Sequence, residues 1–236
     1  MRQRDLLGMT KHLRHDLETL EKRLLLLGAR VEDAVRKSVL ALRKGRKDLA
    51  EEVIRGDIEI DREEVSLEDL CLKILALHHP VANDLRFVTA ILKINNDLER
   101  IGDLASNVSK RSIALPQPTE NPPPAELENL LENTVLMLRE ALDAFVQSDV
   151  RLARKVLAHD ERVNTAYRAI VDGTIAQLKA QTIDVDAAIL YMNAAKNLER
   201  IADHATNIAE DVVYIVEGEI IRHKAATARF NAPKGN

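Results

Sequence analysis

An all-α fold, two tandem symmetry-related three-helix bundles with six helices in all, is what this sequence predicts. Three observations lead there. Apolar residues make up 46% of the 236 positions while aromatics are only 3% and Trp is absent, so the core is aliphatic, the mix of packed helices rather than of a β-sandwich. The apolar positions recur at the helical period. And one acidic phrase is written twice, "NDLERIGDLASN" at 96–107 and "NLERIADHATN" at 197–207.

The periodicity gives six helices, at 4–44, 47–78, 80–113, 125–147, 149–181 and 184–217. In the third, Phe87, Ile91, Ile94, Leu98, Ile101, Ala105 and Val108 are three or four residues apart and form one apolar stripe. Gly45, "HHP" at 78–80, "QSD" at 147–149 and "QTID" at 181–184 mark short turns. Pro80 suits a first helical turn, where a missing N–H costs nothing. Asp84 and Asp184 favour helix N-termini by charge, and Gly218 is a helix stop. Short turns make neighbouring helices antiparallel. The clearest break is "LPQPTENPPPAE" at 115–126, which holds five of the seven prolines and reads as an extended spacer. Residues 1–115 therefore form the first bundle, 116–124 the linker and 125–236 the second bundle.

The repetition is specific. Between 98–107 and 198–207, Leu, Glu, Arg, Ile, Asp, Ala and Asn recur at an offset of 100, seven identities in ten positions. Helical packing explains shared apolar positions but not shared Glu, Arg, Asp and Asn. On a helical wheel Glu99 and Asp103 lie roughly 100–180° from the core residues, on one polar stripe with Asn96 and Asn107. Glu199, Asp203 and Asn207 do the same in the second half. Like charges four residues apart weaken a helix slightly. The second helix carries a further pair, Asp57 and Asp61 of "GDIEID", so four carboxylates converge if the second and third helices are neighbours. The counterpart in "AHDERVN" is Asp160, with Asn164 where a second carboxylate would stand. Oxygen-only clusters suit iron, manganese, magnesium or calcium. The plainer alternative is a solvated acidic face, partly neutralised by Arg100 and Arg200. No Glu or Asp precedes a His by three positions, which counts against a ferritin-like oxidase.

Other features read as structure. His78 and His79 are expected to form a polar cap between helices. Cys71, the only cysteine, reads as a buried core thiol, and Met137, Met192 and the Leu24–Leu27 run as packing. One cysteine permits no internal disulfide, which fits a reducing cytoplasm. A net charge of −4 and few aromatics disfavour nucleic-acid binding. No apolar run spans a membrane, so membrane attachment is expected only through partners. Phosphate-cradling glycine loops, H-E-x-x-H and G-x-S-x-G are missing from the sequence.

Taken together, "VIRGDIEID" at 53–61, "LHHPVANDLRFV" at 77–88, "NNDLERIGDLASN" at 95–107, "AAKNLERIADHATNIAEDVVYIVEGE" at 194–219 and "RH" at 222–223 resemble the PhoU family of phosphate-uptake regulators. The resemblance runs in order over nearly the whole chain. It implies two symmetry-related three-helix bundles and no catalysis. It implies a negative regulator of phosphate uptake and of phosphate-starvation signalling, an adaptor between the ATPase subunit of the phosphate ABC transporter and a sensor histidine kinase, working as a homodimer. The E/D-x-x-x-D motifs of such proteins bind multinuclear metal clusters, iron first, with manganese, magnesium or zinc as the other candidates. Carried over by position, Asp57, Asp61, Glu99 and Asp103 hold the first cluster, and Asp160, Glu199 and Asp203 the second, where Asn164 departs from the acidic pattern. Asp97 has no acidic counterpart, since Asn197 replaces it. Two other functions stay open beside the adaptor: a carboxylate-bridged metalloenzyme, which a turnover assay separates, and a metal-free helical scaffold, which elemental analysis separates.

Overall fold

The computed structural model describes residues 11–115 and 123–221, and these form six long helices and the turns between them. They are α1 (Lys11–Lys44), α2 (Lys47–His78), α3 (Ala82–Ala114), α4 (Leu127–Gln147), α5 (Val150–Lys179) and α6 (Val185–Glu217). The expected elements are all present, with ends displaced by one or two residues where described. The expected start of the first helix at position 4, most of the proline linker and the "RH" pair at 222–223 lie outside the described residues. Pro80 differs from expectation. It is buried in the turn, two residues before α3 begins, rather than within the first helical turn.

Local chemistry fixes the ends. The Asp149 and Asp184 side chains each accept two backbone N–H bonds at the starts of α5 and α6, so Asp184 caps its helix directly rather than only by charge. Gly218 closes α6 at φ 75°, a left-handed conformation that suits glycine. His78 Nε2 lies 2.8 Å from Asp16 Oδ2 and ties the end of α2 to the start of α1, as the sequence suggested for this residue, while His79 is exposed.

Each half packs its three helices against one another, and α3 and α6 then pack together along their length, with α1 touching α4. The residue pairs that meet show the directions. Lys93 meets Asp211 and Asp97 meets His204, so α3 and α6 run antiparallel. Leu98 and Leu198, both fully buried, anchor the two halves of one continuous aliphatic core. Burying each such side chain contributes about 1.5–3 kcal/mol. Cys71 is fully buried, and desolvation pushes its thiol up to about 12, so it is an inert core residue.

The α3–α6 seam contains polar groups as well. Asp97 is 7% exposed; its Oδ1 lies 2.8 Å from His204 Nδ1 and accepts from Asn207 Nδ2 at 3.2 Å. Lys93 stands 3.5 Å from the buried Asp211 and over the Tyr214 ring. These contacts join the two repeated phrases directly, and they account for Asp97 having no acidic counterpart. It serves the seam, not the acidic stripe.

Candidate metal centre

Helix α2 packs antiparallel on α3, and its outward acidic residues lean over that seam. Ligand oxygens of Asp57, Asp61 and Asp103 all lie within 4.8 Å of one another. Gly102 makes this possible. A Cβ there would stand 3.1 Å from two Ile60 side-chain carbons and 3.6 Å from Asp57 Oδ1, so the missing side chain lets α2 approach.

Glu99 is placed at the edge of this group rather than inside it. Its Oε2 is buried and accepts no hydrogen bond of good geometry, although Arg100 Nε stands at 3.3 Å. Arg100 also reaches Asp103 at 3.6 Å. The polar stripe faces α2 in part, and Glu99 and Asp103 are only partly exposed.

The electrostatics show crowded like charge. Burial first, then Asp103 and Asp61, push the Asp57 carboxyl above its usual range, opposed by Ser106 and Lys110. The Ser106 hydroxyl makes no hydrogen bond of normal geometry. Glu99 is also raised, by burial first and then by Asp103, with Arg100 opposing. Glu64, one turn beyond Asp61, is raised by burial, Glu68 and Asp61, and its side chain accepts from Asn95 Nδ2 at 3.2 Å. Glu64 belongs to this acidic surface and was missed in the sequence, although it lies seven residues from Asp57 on the same helix face.

Burial first, and neighbouring carboxylates after it, raise these carboxyl groups. Hard cations relieve this, and an all-oxygen donor set with one orphaned buried oxygen fits iron, manganese, magnesium or calcium better than zinc, which favours nitrogen and sulfur.

The second set is arranged differently. Asp203 is pushed up to about 6, by burial first and then by Glu199 and Asp160, so these three carboxylates do face one another. They do not meet in a compact group like the first among the described residues. Glu199 Oε2 accepts from Lys196 Nζ at 2.6 Å, and Asp160 Oδ2 accepts from Asn164 Nδ2 at 2.9 Å. Glu199, and in smaller part Asp203, holds Lys196 above its usual pKa. Lys196 also lies 5.1 Å from the Tyr167 ring centre. The signal for Lys196 was its place three residues before Glu199, a helical ion-pair spacing.

No helix among the described residues is long and apolar enough to cross a membrane. A family model described as the PhoU domain matches residues 24–112 and again 127–212. The phosphate-specific transport system accessory protein PhoU of Edwardsiella tarda is 31% identical over 223 residues, which cover 93% of this chain and 92% of that protein. The crystal structure of PhoU from Pseudomonas aeruginosa superposes with a TM-score of 0.84 at 36% identity, covering 87% of this chain and 99% of that one. The crystal structure of the phosphate transport system regulatory protein PhoU from Streptococcus pneumoniae gives 0.82 at 31% identity, covering 89% and 99%.

Proposed function

Because this chain belongs to the PhoU family, we propose that it restrains phosphate uptake and phosphate-starvation signalling. It is an accessory regulatory protein of phosphate transport. It acts in the cytoplasm as an adaptor, docking on the ATPase subunit of the phosphate ABC transporter and on a sensor histidine kinase, and it pairs as a homodimer. The two matched stretches serve as two repeats of one unit, divided at the proline linker. The observation that carries this reading is likeness along both repeats at once, in sequence and in the superposed helices.

The first carboxylate set holds one or more hard cations, with Asp57, Asp61 and Asp103 as ligands and Glu99 beside them. Its support is the donor chemistry and the crowding of negative charge. A cation there ties α2 to α3, so it tunes the stability and shape of the first repeat without serving catalysis. Cation binding to the folded chain stabilises it by mass action.

Deletion of the gene tests the regulatory role. We expect phosphate-starvation genes and phosphate uptake to stay active in the deletion strain when phosphate is plentiful, and the intact gene to restore repression. Unchanged expression in the deletion strain would refute the reading.

A further inference from the structure

The two carboxylate sets occupy equivalent places but differ at three positions. Asp57 faces Asp103 as Asp160 faces Asp203. In that register Asn164 replaces Asp61, Tyr167 replaces Glu64, and Lys196 replaces Asn96. All three changes act in one direction. Two remove a negative charge and one adds a positive charge.

We propose that the Lys196 ammonium is the resident cation of the second set, so that this set takes no metal, leaving cation binding to the first repeat alone. The proposal rests on the reading of the first set as a cation site.

The geometry carries it. Lys196 Nζ lies 2.6 Å from Glu199 Oε2, one of the oxygens this set would offer to a cation. A metal bonded there at about 2.0–2.6 Å would compete for the same volume as the ammonium. Lys196 Nζ also stands over the Tyr167 ring on α5, 5.1 Å from its centre. Where the first repeat places the Glu64 carboxylate, this one places an aromatic face that favours an organic cation. Asn164 Nδ2 donates to Asp160 Oδ2, so one carboxylate oxygen already has an amide donor where the first repeat offers a second carboxylate. Three carboxylates here share one ammonium and one amide donor, whereas Asp57, Asp61, Glu64, Glu99 and Asp103 are five carboxylates on which Arg100 and Lys110 act. The repeats have thus diverged into one seam that responds to cations and one that does not.

The test is equilibrium dialysis of the full-length chain against manganese(II), read by elemental analysis, with amide hydrogen exchange as a second readout. The variants are Glu199→Gln with Asp203→Asn, and Lys196→Asn with Asn164→Asp, which restores two of the three residues of the first repeat. Lys196→Gln alone serves if the double variant folds poorly, since it keeps a hydrogen bond and removes the charge. We expect the first pair to retain wild-type manganese. The second is expected to bind more than wild type, to lose the excess when Glu199→Gln and Asp203→Asn are added, and to show manganese-dependent protection in α5 and α6. Loss of manganese from the first pair would overturn the proposal. So would the absence of any gain on removing Lys196. Wild-type protein that binds no manganese refutes the cation reading of the first repeat, and the gain or its absence in the Lys196 variants still decides this proposal.

Discussion

Asp203→Asn is predicted to stabilise the protein at neutral and alkaline pH and to have no effect in acid. The Asp203 carboxyl is pushed up to about 6 from 3.8, by burial first and then by Glu199 and Asp160. Its folded-state pKa lies above the unfolded one, so ionisation costs the folded state free energy. Above about pH 6 both states are ionised and the cost is fully present. As pH falls from about 6 towards 3.8, the folded state takes up a proton that the unfolded chain does not, and the cost disappears. A two-unit shift corresponds to about 3 kcal/mol if nothing screens it. The carboxyl is crowded by its neighbours while the residue keeps much of its surface open to solvent, so screening reduces this to about 1 kcal/mol. For a chain of this size that is a rise in melting temperature of about 2–4 °C. The assay is urea unfolding of wild type and variant from pH 4 to pH 8 in the presence of chelator. The variant should be more stable at pH 8, with the difference vanishing near pH 4. A variant less stable than wild type at pH 8, or a difference that persists at pH 4, would refute the reasoning.

Two further substitutions probe the seams. Gly102→Val should force α2 away from α3, because even a Cβ meets the stiff, buried Ile60 side chain at 3.1 Å; overpacking of this kind costs about 1–3 kcal/mol, and unfolding midpoints unchanged from wild type would contradict the close packing. Asp97→Ala leaves His204 and Asn207 without their acceptor in the α3–α6 seam, for a loss of about 1–3 kcal/mol and faster amide exchange along both helices; a loss below about 0.5 kcal/mol, within the range of neutral surface changes, would show that these bonds do not hold the repeats together.

The helices were legible because aliphatic residues at a 3.6 period need no partner to be recognised. The stripe from Phe87 to Val108 is buried at every position from which it was read. The convergence of Asp57, Asp61 and Asp103 was legible too, since equal spacing on adjacent helices leaves few other outcomes. Three features were not. The role of Asp97 could not be read locally, because its partners His204 and Asn207 are more than a hundred positions away and only the docking of α3 on α6 brings them near. Glu99 was placed with the ligands by its spacing; it stands against Arg100, outside the group that Asp57, Asp61 and Asp103 form. The neutralising cations were read as Arg100 and Arg200 from their place inside each phrase. Arg100 does pair with Glu99 and Asp103, while in the second phrase Lys196, one turn earlier, reaches Glu199. Both pairings fit local helical spacing, and in the structure Lys196 also stands 5.1 Å from the Tyr167 ring of the neighbouring helix.

The metal content of the purified protein tests the account's central claim most directly. The full chain is dialysed against iron(II) or manganese(II), freed of loose metal and assayed by elemental analysis, beside a variant carrying Asp57→Asn and Asp61→Asn. The account predicts bound metal in the wild type, a melting temperature that falls on adding chelator, and loss of both properties in the variant, whose helices stay folded because neither side chain belongs to the core. Wild-type protein without bound metal and with chelator-insensitive melting, or a variant that keeps as much metal as wild type, would contradict it.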